Sequence, residues 1–122
     1  MAKNILIVDD EPDILRLAVI RLEASGYKVL QAADGEKALE LLNKNSPDLI
    51  LVDLLLPGMQ GDEFCQKLRS DIKFKNIPII LFTASVANIT EKAEKSGAQD
   101  YILKPFEPEQ LLYKIKRLIN PT

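Results

Sequence analysis

Three short apolar runs, Ile5-Leu6-Ile7-Val8, Leu49-Ile50-Leu51-Val52 and Ile79-Ile80-Leu81-Phe82, constrain this chain more than any other feature. Each is too short for a helix, lacks polar alternation and is bounded by turn or polar residues. Each therefore reads as a strand covered on both faces, the kind found in parallel sheets with helices on either side. Asp9 and Asp10 close the first run and Asp53 closes the second. Charge is expensive on such strands except at an exposed edge, so both runs deliver acids to one rim. If the strands are parallel neighbours, Asp10 and Asp53 come within contact distance. Two such charges about 4 Å apart repel by roughly 4 kcal/mol at an effective dielectric of ~20. A hard divalent cation, Mg²⁺ or Mn²⁺, suits that set, because carboxylates, a carbonyl and water are its ligands and the sequence has no histidine.

The rest of the chain alternates strand-like and helix-like segments, which predicts five β/α units. Asn4 to Val8 is the first strand. Pro12 opens a helix carrying Ile14, Leu15, Ala18, Val19 and Leu22 at helical spacing, and Gly26 stops it. Tyr27 to Gln31 reads as a more exposed strand, and Asp34 caps a helix with Ala38, Leu39, Leu41 and Leu42. After the strand Asp48 to Val52 and the loop Pro57 to Gly61 comes a helix with Phe64, Leu68 and Ile72 on its apolar face. Thr83 closes the strand that begins at Ile79. A polar helix, roughly Ala87 to Ser96, ends at Gly97; a short strand around Tyr101 to Leu103 precedes Lys104-Pro105. The last helix, about Pro108 to Ile119, buries Leu111, Leu112, Ile115 and Leu118. The expected architecture is an α/β, doubly wound (βα)5 fold with a five-stranded parallel sheet and helices on both faces.

With 122 residues, of which 47% are hydrophobic, the chain supports one core and reads as a single domain, 1–122. A net charge of −2 gives no basic surface for nucleic acid or anionic membrane, so proteins or small anions are the expected partners. Cys65, the one cysteine, reads as a small core residue. There is no signal-peptide pattern or membrane-length apolar stretch, and the expected location is the cytoplasm.

Ligands of open α/β sheets bind beyond the carboxyl ends of the strands, where the strand order reverses. The strand ends here offer Asp9, Asp10, Asp53, Thr83 and Lys104: metal ligands, a nucleophile, a hydroxyl donor and a cation. That inventory suits a phosphoryl group, which an ionised carboxylate attacks while a metal, Lys and Thr neutralise its oxygens.

Four motifs in order, Val8-Asp9-Asp10-Glu11, Asp53-Leu54-Leu55-Leu56-Pro57-Gly58, Phe82-Thr83-Ala84 and Tyr101-Ile102-Leu103-Lys104-Pro105-Phe106, make the chain resemble a receiver domain of two-component response regulators, of the stand-alone, chemotaxis-regulator-like kind. The match runs over essentially the whole length and implies a flavodoxin-like fold. By the resemblance, Asp53 accepts phosphate from a sensor histidine kinase or histidine phosphotransfer protein. Asp10, Asp53 and the Leu55 backbone carbonyl hold Mg²⁺, with Asp9 acting through a coordinated water. Lys104 pairs with Asp53 at rest and with the phosphoryl group afterwards, Thr83 moves to bond a phosphoryl oxygen, and Tyr101 turns inward as the switch aromatic. The Lys104-Pro105 bond resembles the family's cis peptide. Such a domain is not a conventional enzyme: it promotes its own aspartyl phosphorylation and dephosphorylation. It acts as a monomer or a weak activation-dependent dimer, and its Tyr101-side surface controls a downstream protein. A chain ending at Asn120-Pro121-Thr122 leaves no room for an output domain, the truncation of a longer protein aside.

Each residue also has an ordinary reading. An acid before Pro12 can cap the first helix, Asp53 can be a loop residue, Thr83 a strand end, Lys104 a solvated cation and Tyr101 an edge residue with its hydroxyl in water. Leu55 and Ser85 flank the path of the attacking water in this family, and neither is an obvious general base, so no fast self-dephosphorylation is expected. Gln60 replaces the family's frequent Asp in its loop, which bears on packing. Competing functional readings are an interaction module that never uses the chemistry, a metal-dependent phosphatase for a free substrate, and a flavodoxin-type cofactor binder. The last lacks a phosphate-cradling Gly-rich loop after the first strand.

Overall fold

The structure, a computed structural model, describes residues 2–84 and 87–119. Ser85 and residues 120–122, together with the side chain of Ile14, lie outside the described residues. Five strands and five helices alternate: β1 (Asn4–Val8), α1 (Pro12–Ala24), β2 (Lys28–Ala32), α2 (Gly35–Leu42), β3 (Leu49–Val52), α3 (Gly61–Arg69), β4 (Ile79–Thr83), α4 (Ile89–Ser96), β5 (Asp100–Leu103) and α5 (Pro108–Leu118). The strands form one parallel sheet in the order β2-β1-β3-β4-β5. The doubly wound (βα)5 expectation holds. The three apolar runs are the three central strands, and every residue of Ile5–Val8, Leu49–Val52 and Ile79–Phe82 is buried.

Side chains alternate across the sheet, so each central strand feeds two cores. Leu6, Val8, Ile50, Val52 and Leu81 pack with Phe64, Cys65 and Leu68 of α3, Ala38 and Leu42 of α2, and Ile89 and Ala93 of α4. Ile5, Ile7, Leu49, Leu51, Ile80 and Phe82 pack on the other face with Ala18 and Leu22 of α1 and Leu111 and Ile115 of α5. Each Val, Leu, Ile or Phe among them contributes about 1.5–3 kcal/mol when fully buried. The chain runs from β1 outward to β2 and then crosses to β3 on the other side of β1, so the order reverses between β1 and β3. The carboxyl ends of those two strands form the expected crevice.

Local chemistry sets two of the helix ends. The Asp34 carboxylate accepts the Lys37 N–H at 2.8 Å and caps α2. Gly97, at φ 73°, ends α4 in a left-handed conformation that other residues adopt only at a cost. The apolar face of α3 is shorter than its sequence suggests. The helix stops at Arg69, and Ile72 is 80% exposed in the turn that follows. Arg69 explains that stop: its guanidinium donates to the carbonyls of Lys75 (3.0 Å) and Ile77 (2.9 Å), which fold back under the helix end and carry Phe74, not Ile72, against the core. In α5, Leu111 and Ile115 are buried, whereas Leu112 and Leu118 are only partly covered.

Candidate functional site

Backbone pairing continues one residue past several strands. Asp9 N–H donates to Ala32 O (3.0 Å), Asp53 N–H to Val8 O (3.0 Å) and Lys104 N–H to Thr83 O (2.9 Å). Those residues therefore keep strand alternation. Asp9 follows Ile5 and Ile7, Asp53 follows Leu49 and Leu51, and Lys104 follows Ile102, all on the face covered by α1 and α5. Pleat and register together bring three charged side chains from three strands to one point.

There the Lys104 ammonium donates to Asp9 Oδ2 at 2.7 Å, Glu11 Oε1 at 2.8 Å and Asp53 Oδ2 at 2.8 Å. Its Nζ stands over the Phe82 ring, 4.7 Å from the centroid, and Phe82 in turn packs on Phe106 with centroids 5.4 Å apart. The second carboxylate oxygens are held by backbone: Asp9 Oδ1 accepts Glu11 N–H at 2.8 Å, and Asp53 Oδ1 accepts Leu55 N–H at 3.1 Å. Burial pushes the Asp9 carboxyl above its ordinary value, against the opposing effect of its bonds to Lys104 and the Glu11 N–H. Burial pulls the other way on Lys104, but its bonds to Asp53, Asp9 and Glu11 more than reverse this, and its ammonium is held protonated above the ordinary lysine range.

Asp10 is exposed, and one oxygen from each of Asp9, Asp10 and Asp53 lies within 4.8 Å of the others. Three carboxylates thus bond one ammonium, and a fourth, Asp10, lies beside two of them. An all-oxygen donor set with that excess of acid fits a hard divalent ion such as Mg²⁺. An open cleft of about 420 Å³, lined by Pro12, Arg16 and Gln31 among others, runs beside Asp9 and Asp10.

Thr83 is fully buried at the end of β4, and register sets it on the same face as Leu81 and Tyr101, opposite to that of Lys104. Tyr101 is half-buried; its hydroxyl lies 3.5 Å from Thr90 Oγ1 of α4, and Lys114 Nζ of α5 stands 5.5 Å from its ring centroid. The Leu55 side chain is exposed, and the Lys104–Pro105 peptide is cis. Cys65 sits in the core, where burial pushes its thiol up to about 12.

The capping alternative for the acids is not what the helix shows. Glu11 occupies the N-cap of α1 with no side-chain cap bond, and its carboxylate goes to Lys104 instead. Three supporting residues carry no assignment from sequence. Glu11 lies inside a quoted motif, yet nothing local says that it reaches Lys104. Gly61 opens α3 directly against the loop after β3: its N–H donates to Leu54 O at 2.9 Å, and a Cβ there would collide with Asp53 O and Leu54 Cα. Arg69 joins Gly97 O (2.9 Å) and Gln99 Oε1 (3.1 Å) to the α3–β4 turn, contacts without a sequence signature.

Comparison with known proteins gives a consistent result. The family model for the response regulator receiver domain matches residues 5–116. The chain is 43% identical over 121 residues to the DNA-binding dual master transcriptional regulator RpaA of Synechocystis sp., aligning 98% of this chain with 50% of that protein. It thus spans about half the length of the curated relatives it matches. Among solved structures, the chemotaxis response regulator CheY4 of Vibrio cholerae superposes with a TM-score of 0.91 at 32% identity, over 98% of this chain and 100% of that one. The receiver domain of a sensor histidine kinase from Pseudomonas aeruginosa PAO1, which has a magnesium ion coordinated in its active site cleft, superposes with a TM-score of 0.89 at 30% identity, over 98% of each chain.

Proposed function

The chain belongs to the response regulator receiver domain family of two-component systems, and on that premise we propose that it is a phosphorylation-dependent switch with Asp53 as the phosphoacceptor. One observation carries the assignment: the Asp53 carboxylate lies at the end of β3, 2.8 Å from the Lys104 ammonium and within 4.8 Å of oxygens from two other acids. Such a carboxylate is fixed, nucleophilic and matched to a cationic partner.

An Asp53 oxygen attacks the phosphorus of a phosphohistidine on a sensor histidine kinase or histidine phosphotransfer protein. The P–N bond breaks, its electron pair returns to the imidazole, and an acyl phosphate remains on Asp53. Lys104 then bonds a phosphoryl oxygen, and Thr83 donates its hydroxyl to another. Asp10, Asp53, the Leu55 carbonyl and, through a water, Asp9 would hold Mg²⁺ or Mn²⁺, which when bound supplies positive charge against the phosphoryl oxygens.

Hydrogen bonds to a charged group are worth roughly 1.5–3 kcal/mol each, and inverting a 1:99 population needs about 5.5 kcal/mol. Bonds from Thr83 and Lys104 supply most of that. Thr83 and Tyr101 share one face of the sheet, so the output surface is α4, β5 and α5, and its reader is a downstream protein. DNA binding is said of the Synechocystis relative; with a net charge of −2 this chain is assigned protein partners. Among the described residues no helix is long and apolar enough to cross a membrane. We place the domain in the cytoplasm, as a monomer or weak activation-dependent dimer, with slow self-dephosphorylation because Leu55 provides no general base.

Intact mass after incubation with Mg²⁺ and acetyl phosphate or phosphoramidate tests the assignment. A base-labile gain of about 80 Da in the wild type, absent from Asp53→Asn, supports it. No gain despite measured Mg²⁺ binding, with rapid hydrolysis excluded by beryllofluoride trapping, identifies an interaction module instead.

A further inference from the structure

The two ends of α4 are fastened to the fold very differently. Because α4 follows β4 and precedes β5, it starts at the rim that holds Asp53 and ends at the opposite edge of the sheet. At that far end stands Arg69, which forms no ion pair among the described residues. Its guanidinium donates to oxygens of three segments instead: Nε to Gly97 O at 2.9 Å, Nη1 to Lys75 O at 3.0 Å and Ile77 O at 2.9 Å, and Nη2 to Gln99 Oε1 at 3.1 Å. The first of these is the C-cap carbonyl of α4, where the helix carries partial negative charge that a cation offsets. Gln99 Oε1 also accepts the Ile79 N–H at 2.7 Å, and Gln99 N–H donates to Ile79 O at 2.9 Å, so the starts of β4 and β5 join the same knot. Gly97 leaves space for it, since a Cβ there would stand 2.9 Å from Arg69 Nε and 3.0 Å from its Cγ. The rim end of α4 has no comparable fastening. Its N-cap, Asn88, sits at φ 54° and makes no side-chain cap bond. Ile89 packs into the core, and Thr90 Oγ1 lies 3.5 Å from the Tyr101 hydroxyl, at the long limit for a hydrogen bond.

We propose that Arg69 is a positioning residue of the switch: it fixes the C-terminal end of α4 at Gly97, so that α4 pivots there and rearrangement at the rim displaces its N-terminal end alone. The anchoring belongs to the resting fold; its consequence for switching rests on Asp53 being the phosphoacceptor. In this role the surface around Thr90 and Tyr101 changes on phosphorylation, while the cleft between the ends of α3 and α4, lined by Gln66, Arg69 and Lys95, stays as it is.

Amide hydrogen exchange, resolved by NMR with and without Mg²⁺ and beryllofluoride, tests this on wild type, Arg69→Met and Arg69→Lys. Lys keeps the charge but not the planar fork, and is the milder variant should Met fail to fold. Ile115→Val, in the core on the other face of the sheet, controls for general loss of stability. The Lys92 N–H, bonded to Asn88 O, reports the first turn of α4; those of Gly97 and Ala98, bonded to Glu94 O and Ala93 O, report its end. In the wild type, beryllofluoride is expected to change exchange at Lys92 about tenfold and at Gly97 and Ala98 less than about twofold. In the Arg69 variants Gly97 and Ala98 are expected to exchange about tenfold faster at rest and to respond to beryllofluoride as strongly as Lys92. Changes of equal size at both ends of wild-type α4 overturn the proposal. So do variants in which Gly97 and Ala98 stay silent to beryllofluoride, and so does a loosening at these two amides that Ile115→Val reproduces. If beryllofluoride alters nothing in the wild type, the phosphoacceptor reading fails on its own, and resting exchange at Gly97 and Ala98 still decides whether Arg69 anchors α4.

Discussion

Lys104 follows β5 and Asp53 follows β3, yet Nζ and Oδ2 are 2.8 Å apart across the end of the strand between them. The lysine spans that strand, with its ammonium 4.7 Å from the ring centroid of Phe82, the penultimate residue of β4. A further strand away, the same ammonium reaches Asp9 at 2.7 Å. One side chain thus ties together the carboxyl ends of the four strands β1, β3, β4 and β5, and the cohesion of that rim depends on its charge.

Lys104→Met leaves Asp9 and Asp53 buried without their counter-charge. Urea unfolding in EDTA is expected to give a loss of about 3–5 kcal/mol, the range for breaking a buried ion pair from one side. The folded protein binds the Lys104 proton more tightly than the unfolded chain does. The contribution of that proton is therefore complete below lysine's ordinary 10.5 and declines as pH rises through the higher folded value. The gap between wild type and variant narrows only on the alkaline side of 10.5; a gap that closes at neutral pH contradicts this account.

Asp9 carries the same sign of linkage as Lys104, in a lower pH range. Burial raises its folded value above 3.8, so the native state holds that proton longer than the unfolded chain. Its contribution to stability falls as pH rises from 3.8 through the folded value and recovers on acidification. Unfolding free energies of wild type and Asp9→Asn, compared between about pH 4 and pH 7, are expected to shift in favour of the variant as pH rises. A constant difference would show that Asp9 ionisation is fully compensated in the fold.

Asp10 is exposed, so Asp10→Asn is expected to change stability by less than about 0.5 kcal/mol in EDTA. Mg²⁺ at a hundredfold excess over its dissociation constant should stabilise the wild type by about 2.7 kcal/mol and the variant by much less. Thermal unfolding with and without Mg²⁺ measures both. Equal Mg²⁺ stabilisation of the two proteins removes Asp10 from the ligand set.

Gly61→Ala forces a methyl group into the Asp53–Leu54 backbone. The expected penalty is about 1–3 kcal/mol in urea unfolding, with amide shifts concentrated at residues 53–55 because the strain falls on that loop. Wild-type stability in the variant would mean that the start of α3 moves freely relative to Asp53.

The sequence by itself determined the strands and the rim. Ile5–Val8, Leu49–Val52 and Ile79–Phe82 have no polar alternation and read as strands covered on both faces, and the acids that close the first two belong at the exposed rim of the sheet. Asp34 and Gly97 likewise announced a cap and a stop, because capping is chemistry between near neighbours. The tertiary structure decided what depends on distant residues. Ile72 has helical spacing from Phe64 and Leu68, but Arg69 reaches carbonyls further along the chain and ends the helix before it. The clearance that makes Gly61 necessary appears only when α3 packs on the loop after β3. The third partner of Lys104 is Glu11, 93 residues away, where nothing in the spacing foretells a 2.8 Å contact. Periodicity and capping record interactions within a few residues, whereas these contacts arise from strand order and register, which bring together side chains that share no local pattern.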